Sequence, residues 1–128
     1  MKKIDANGNI EITRGEYLPL TISTTDNKTG LPYTFQIGDV VKFSITEKNK
    51  CDSVVFEKRV TVSEEAQSVP LIITADEMKI GSLQSKTVDY WYEVELNPDT
   101  PEAQTIIGYT KDKGAKILSL TPESGDKE

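Results

Sequence analysis

The sequence predicts an all-β protein, an antiparallel immunoglobulin-like β-sandwich of about eight strands with one short capping helix near residues 74–80. Three observations lead there. Apolar residues recur at every second position through most of the chain, which is the period of a half-buried strand and not of a helix. The alternating runs are short, and clusters of Asn, Asp, Gly, Pro and Ser separate them, as turn chemistry requires. The only helix signal is a turn or two long, so a sandwich or barrel is favoured over βαβ units.

Taken in order, "NIEIT" alternates Ile10 and Ile12 with polar neighbours. "YLPLTIST" carries Leu18, Leu20 and Ile22. Pro19 within it has no N–H for a ladder and marks an edge strand or the start of one. "DVVKFSITEK" sets Val41, Phe43 and Ile45 against Lys42, Ser44 and Thr46, a strand from Val40 to Glu47. "NKCDS" reads as a turn. "VVFEKRVTV" then keeps one phase from Val54 and Phe56 to Val60 and Val62, which puts Lys58 in an inward slot. A bulge or an edge position there would let its ammonium reach water.

"SVPLIIT" is a further short strand. In "TADEMKIG", Thr74 as N-cap, Glu77 three residues on and Gly81 as a stop form the pattern of a capped helix of one or two turns. "VDYWYEVEL" resumes the alternation, with Tyr90, Tyr92, Val94 and Leu96 as a core stripe. "TIIGYT", the turn "KDKG" and "AKILSL" follow. Residues 1–121 thus form one domain, and 122–128 are a polar tail expected to fray or act as a connector. The longest hydrophilic connections are "TTDNKTG" and "NPDTPEAQ", and loops are where such scaffolds place recognition.

Composition narrows the function classes. A hydrophobic fraction of 36% with 28% charged residues is that of an ordinary globular chain. Against 15 Lys and Arg stand 21 Asp and Glu, a net charge of -6 with no basic block, so nucleic acid is a poor partner. No stretch approaches the ~20 apolar residues of a membrane span, and the two N-terminal lysines precede no apolar run. The expectation is a protein made in a cytoplasm that remains soluble. Cys51 is the only cysteine and histidine is absent, which excludes an internal disulfide, a Cys-based metal cage, Ser-His-Asp chemistry and His-ligated zinc. No cofactor and no metal is expected. "DANGN" echoes a calcium loop, but Glu11 comes too soon for the late carboxylate, and an Asx-type turn is the better reading.

Trp91, Glu93 and Arg14 stand out as candidate contact residues. Trp91 shares the outward face of its strand with Asp89, Glu93 and Glu95. It is either covered by the "NPDTPEAQ" loop, seated in a pocket on a partner subunit, or stacked on a ligand. Glu93 and Glu95 lie one strand repeat apart, about 6.6–7 Å. That is the low end of the spacing inverting glycosidases use, although any strand with Glu at alternate positions meets it. In "ITRGEY", Arg14 and Gly15 mark a corner with positive φ at the glycine, and Arg14 either serves that turn or anchors an ion pair to a neighbouring subunit.

The order of these features resembles a known group. "EITRGEYLPLTIS", "IITADEMKIGSLQSKTVDYWYEVEL" and "TIIGYTKDKGAKILSLTPE" are similar to the opening corner, the aromatic-rich strand and the closing hairpin of β-sandwich domains in bacteriophage tails. The family they resemble is that of the N-terminal domain of siphophage upper baseplate proteins and related tail accessory proteins. That resemblance implies a non-enzymatic structural protein of a phage or prophage tail, assembled in the host cytoplasm and carried in the virion. Its partners would be other tail proteins and copies of itself. The rival expectation is a carbohydrate-binding module that grips a host glycan through Trp91 and the neighbouring carboxylates.

Overall fold

Alternation in the sequence becomes nine strands among the described residues. They are β1 (Lys3–Ile4), β2 (Ile10–Thr13), β3 (Leu18–Ile22), β4 (Val40–Glu47), β5 (Lys50–Thr61), β6 (Val69–Ile73), β7 (Val88–Leu96), β8 (Gln104–Ile107) and β9 (Lys116–Thr121). The structure, a computed structural model, describes residues 3–4, 8–26, 28–48, 50–81, 86–101, 103–108 and 116–122. The expected tail beyond residue 122, the turn "KDKG" and residues 5–7 of "DANGN" lie outside the described residues.

The strands form two sheets. The larger has the order β1-β2-β9-β7-β4-β5, and β3 pairs with β6 in the smaller. β4 lines one edge of β7 from Tyr90 to Leu96. The opposite edge is shared: β9 pairs with Val88 to Tyr92 and β8 with Val94 to Leu96. The expected closing hairpin is therefore not formed within the described residues, because β8 and β9 both ladder onto β7. The sheet is also mixed and not purely antiparallel, since β2 runs parallel to β9 with Ile10 opposite Leu118 and Ile12 opposite Leu120. "NKCDS" is mostly strand, because β5 already begins at Lys50.

One continuous apolar cluster unites the two sheets. The larger contributes Ile12, Phe43, Ile45, Tyr92, Val94 and Leu118, and the smaller contributes Leu18, Leu71 and Ile73. Burial of β7 alternates along its length, with Tyr90, Tyr92, Val94 and Leu96 inward. The Phe43 ring lies 5.6 Å from Tyr92 and 6.5 Å from Phe56, within the range of favourable aromatic pairs.

The expected helix near 74–80 is absent, and its capping chemistry closes a single turn instead. Thr74 N–H donates to Glu77 Oε1 at 2.9 Å, and Glu77 N–H donates to Thr74 Oγ1 at 3.2 Å. Continuation would require the next carbonyls to bond within the helix. They are taken by the corner after β2. Gly15 N–H donates to the Met78 carbonyl at 3.2 Å. Arg14 Nε donates to that of Ile80 at 3.0 Å, and Arg14 Nη2 to those of Lys79 and Gly81 at 3.3 and 3.0 Å. Gly15 and Gly81 both hold positive φ, 84° and 68°, where a side chain is strained. Met78 and Ile80 face the core, two residues apart, as an extended segment and not a helix would place them.

The opposite end is organised by Asp39. Tyr33 Oη and Gln36 N–H donate to its Oδ2 at 2.8 and 2.9 Å, and Asn97 Nδ2 donates to Oδ1 at 3.2 Å. Asn97 also accepts Val40 N–H at 2.9 Å and donates its own N–H to the Val40 carbonyl at 2.7 Å. Burial alone would push the Asp39 carboxyl up, but its hydrogen bonds from Gln36, Tyr33 and Asn97 together hold it below the usual carboxylate value.

Two outcomes follow from this packing. Leu71→Ala, at a fully buried position of the small sheet, is expected to cost about 2–5 kcal/mol in urea unfolding. Asp39→Asn is expected to cost about 1–3 kcal/mol at pH 7. Because the folded Asp39 carboxyl is depressed, its contribution is present above the ordinary Asp value near ~3.9 and is lost as pH falls through the folded value. The variant should accordingly show a shallower loss of stability than the wild type below about pH 4 in thermal melts across pH.

Candidate functional site: the outward face of the large sheet

Pairing register fixes which side chains share the outward face. Lys42, Ser44 and Thr46 of β4 stand beside Glu95, Glu93 and Trp91 of β7. On the other flank of β4, Arg59, Glu57 and Val54 of β5 are opposite the same three positions. Ile117 and Ser119 of β9 stand beside Trp91 and Asp89. Neighbours of this kind lie about 4.5–5.5 Å apart, so the face is a grid of rows crossing the strands.

One row is apolar. Val54, Thr46, Trp91 and Ile117 run across β5, β4, β7 and β9, a span of about 15 Å. Val54 is 52% exposed, while Thr46, Trp91 and Ile117 are half-buried. The sequence phase had placed Val54 inward. Val55 is the reason it is not: the register slips there, with Ile45 opposite Phe56 but Thr46 opposite Val54. A bulge absorbs one residue and turns the following side chains over. Nothing in the sequence paired Ile117 with Trp91.

The rows on either side are charged. Lys42 Nζ lies 3.2 Å from Glu95 and 4.0 Å from Glu57. Arg59 meets Glu57 at 2.9 Å and Asp99 at 3.1 Å, which completes a chain of alternating sign. Ser119 Oγ donates to Asp89 Oδ1 at 2.7 Å on the far side of Trp91. Glu93 lies between Ser44, which is buried, and Gly108 of the segment after β8, where an added Cβ would stand 3.3 Å from Glu93 Oε2. Burial first, then the charge of Glu95 and a hydrogen bond shared with it, push the Glu93 carboxyl up, against the pull of Lys42.

The other sequence candidates are placed as follows. The "NPDTPEAQ" loop begins beyond Leu96, five residues and about 16 Å along the strand from Trp91. It is closed on itself there by Thr100 Oγ1 donating to the Asn97 carbonyl at 2.8 Å. Arg14 lies at the corner after β2 with its guanidinium on the carbonyls of residues 79–81, away from the Trp91 row. Cys51 falls within β5. No group of three or more metal-ligating side chains occurs among the described residues.

Fold and face together define an all-β, sandwich-like protein with an apolar row set in a charged sheet surface. Comparison with protein-family profiles, with curated proteins and with solved structures gives no match.

The carboxylate pair has a measurable consequence. With the folded Glu93 carboxyl raised, the stability it contributes is fully present below the ordinary Glu value near ~4.3 and is lost as pH rises through the folded value. Glu93→Gln, which keeps the shape and removes the charge, is expected to raise Tm at pH 7. That gain should vanish below about pH 4 in thermal melts across pH.

Proposed function

We propose that this chain is a non-enzymatic assembly subunit of a bacteriophage or prophage tail, a baseplate or accessory protein of the virion. It docks through the outward face of its large sheet onto other tail proteins and copies of itself. The observation that carries the reading is the apolar row of Val54, Trp91 and Ile117 in the middle of a salt-bridged surface. A Trp anchor ringed by polar groups is the arrangement of interface hot spots. The likeness of the corner and aromatic-strand segments to phage tail domains supplies the setting.

The immunoglobulin-like form of the sandwich belongs to the same proposal. The order β9-β7-β4-β5 follows that of strands G, F, C and C′ in a variable-type domain, and β3 with β6 follows B and E. Tyr90, near the start of β7, has its hydroxyl beside Gly81, 3.0 Å from where a Cβ would stand. A tyrosine at that strand's start, turned back toward the preceding corner, is a hallmark of such domains. A role without catalysis fits Glu93 and Glu95, whose separation is that of any strand carrying Glu at alternate positions.

The test is capture of the proteins encoded beside this chain, together with light scattering of the chain alone, for wild type and Trp91→Ala. Association that weakens at least about tenfold in the variant, with unchanged circular dichroism, is expected for loss of a central anchor. A monomer at high concentration with no captured neighbour would overturn the proposal, as would glycan-array binding that disappears in Trp91→Ala.

A further inference from the structure

The two long hydrophilic loops singled out in the sequence meet in space. Thr24, Thr25, Asp26 and Lys28 of "TTDNKTG" line one side of a cleft of about 340 Å³ at the Asp39 end of the sandwich. Asn97 and Gln104 of "NPDTPEAQ" line the other, and Tyr33 adds aromatic surface between them, while Leu96 borders the cleft from the buried core. The volume is at the lower end of the ~300–1,000 Å³ of small-molecule sites. From these observations we propose that the cleft binds a neutral saccharide of one or two rings.

The lining selects for such a ligand. Among the described residues it offers hydroxyls, side-chain amides, one carboxylate and one ammonium, so donors and acceptors are mixed and the charges offset each other. A phosphate or other anion would call for clustered cations, and Lys28 alone among the described lining residues carries a positive charge. Tyr33 supplies the aromatic surface against which the C–H face of a sugar ring packs, and its ring is fixed edge-on to Phe35 at 5.2 Å.

Both walls are held before any ligand arrives, which reduces the ordering cost of binding. In the first loop, Asp26 N–H donates to the Leu31 carbonyl and Gly30 N–H to that of Asp26, each at 2.8 Å. Lys28 N–H donates to Asp26 Oδ1 at 2.8 Å, and Tyr33 N–H donates to the Thr24 carbonyl at 2.9 Å. In the second, Asn97 and Asp99 hold φ of 50° and 65°, the left-handed turn region that Asn and Asp enter more readily than other side-chain-bearing residues. Asp39 and Arg59 pin them there through hydrogen bonds at 3.2 and 3.1 Å. The cleft shares no residue with the Trp91 row, so the two proposals fail or stand separately.

The experiment is a ¹H–¹⁵N NMR titration of the full chain with glucose, galactose, rhamnose, N-acetylglucosamine, maltose, lactose and chitobiose. The expected result is saturable shifts for at least one sugar, confined to residues 24–33 and 96–104. Gln104→Ala and Lys28→Ala, both exposed, should each weaken that binding by about tenfold, and Trp91→Ala should leave it unchanged. No saturable shift with any of these sugars would overturn the proposal. So would shifts centred on Trp91, or affinity unaltered in both cleft variants.

Discussion

A sandwich chain must leave one sheet and enter the other, and each crossing strips backbone groups of their ladder partners. Buried polar groups left unpaired are costly. At one end of this molecule the carbonyls of residues 78–81 have lost their ladder partners, and the Arg14–Gly15 corner satisfies all four, those of the buried Met78 and Ile80 among them. That corner is itself a crossing, from β2 in the large sheet to β3 in the small one. The segment it binds is the return crossing, from β6 to β7. Asp39 does the equivalent at the far end, where the β3–β4 crossing meets the end of β7 through Asn97. A cation at one end and an anion at the other thus fasten the two layers, while apolar packing supplies the driving force between them.

Lys58 adds a third fastening along the side. Its strand pairing with Phe43 aims it at the interior, but β5 is the last strand of its sheet. The side chain reaches over the rim to the small sheet, donating to the Ile72 carbonyl at 2.6 Å and to Glu77 at 2.9 Å. Glu77 is held below its usual value by the Thr74 N–H first and then by Lys58. The residue that looked like half of a helix cap therefore belongs to the inter-sheet contact as much as to its own turn.

Period-two patterning made the strands legible, and for β4 and β7 it also marked the inward face. What it could not convey was non-local. The parallel partnership of β2 with β9 joins residues more than a hundred positions apart, and no local signal encodes it. Thr74, Glu77 and Gly81 form a valid helix pattern, yet the fate of that segment was decided by Arg14, some sixty residues upstream. Val54 is the instructive case within the candidate site: an alternation count carries through Val55 as though no bulge were there, and it assigns Val54 to the wrong face. Trp91 was placed on the outward face by parity alone, but its row emerged only once the register joined it to Thr46 and Ile117.

The bulge at Val55 and the inward Lys58 have a consequence for how copies of this molecule can meet. An open sheet rim recruits further strands, and natural proteins blunt such rims with bulges and inward-pointing charges. β5 carries both devices on the longest of the described strands. Copies concentrated together are thereby discouraged from zipping rim to rim into an endless ribbon. Growth by that route would have no natural stopping point, whereas contact across a face can end in a closed ring of fixed size.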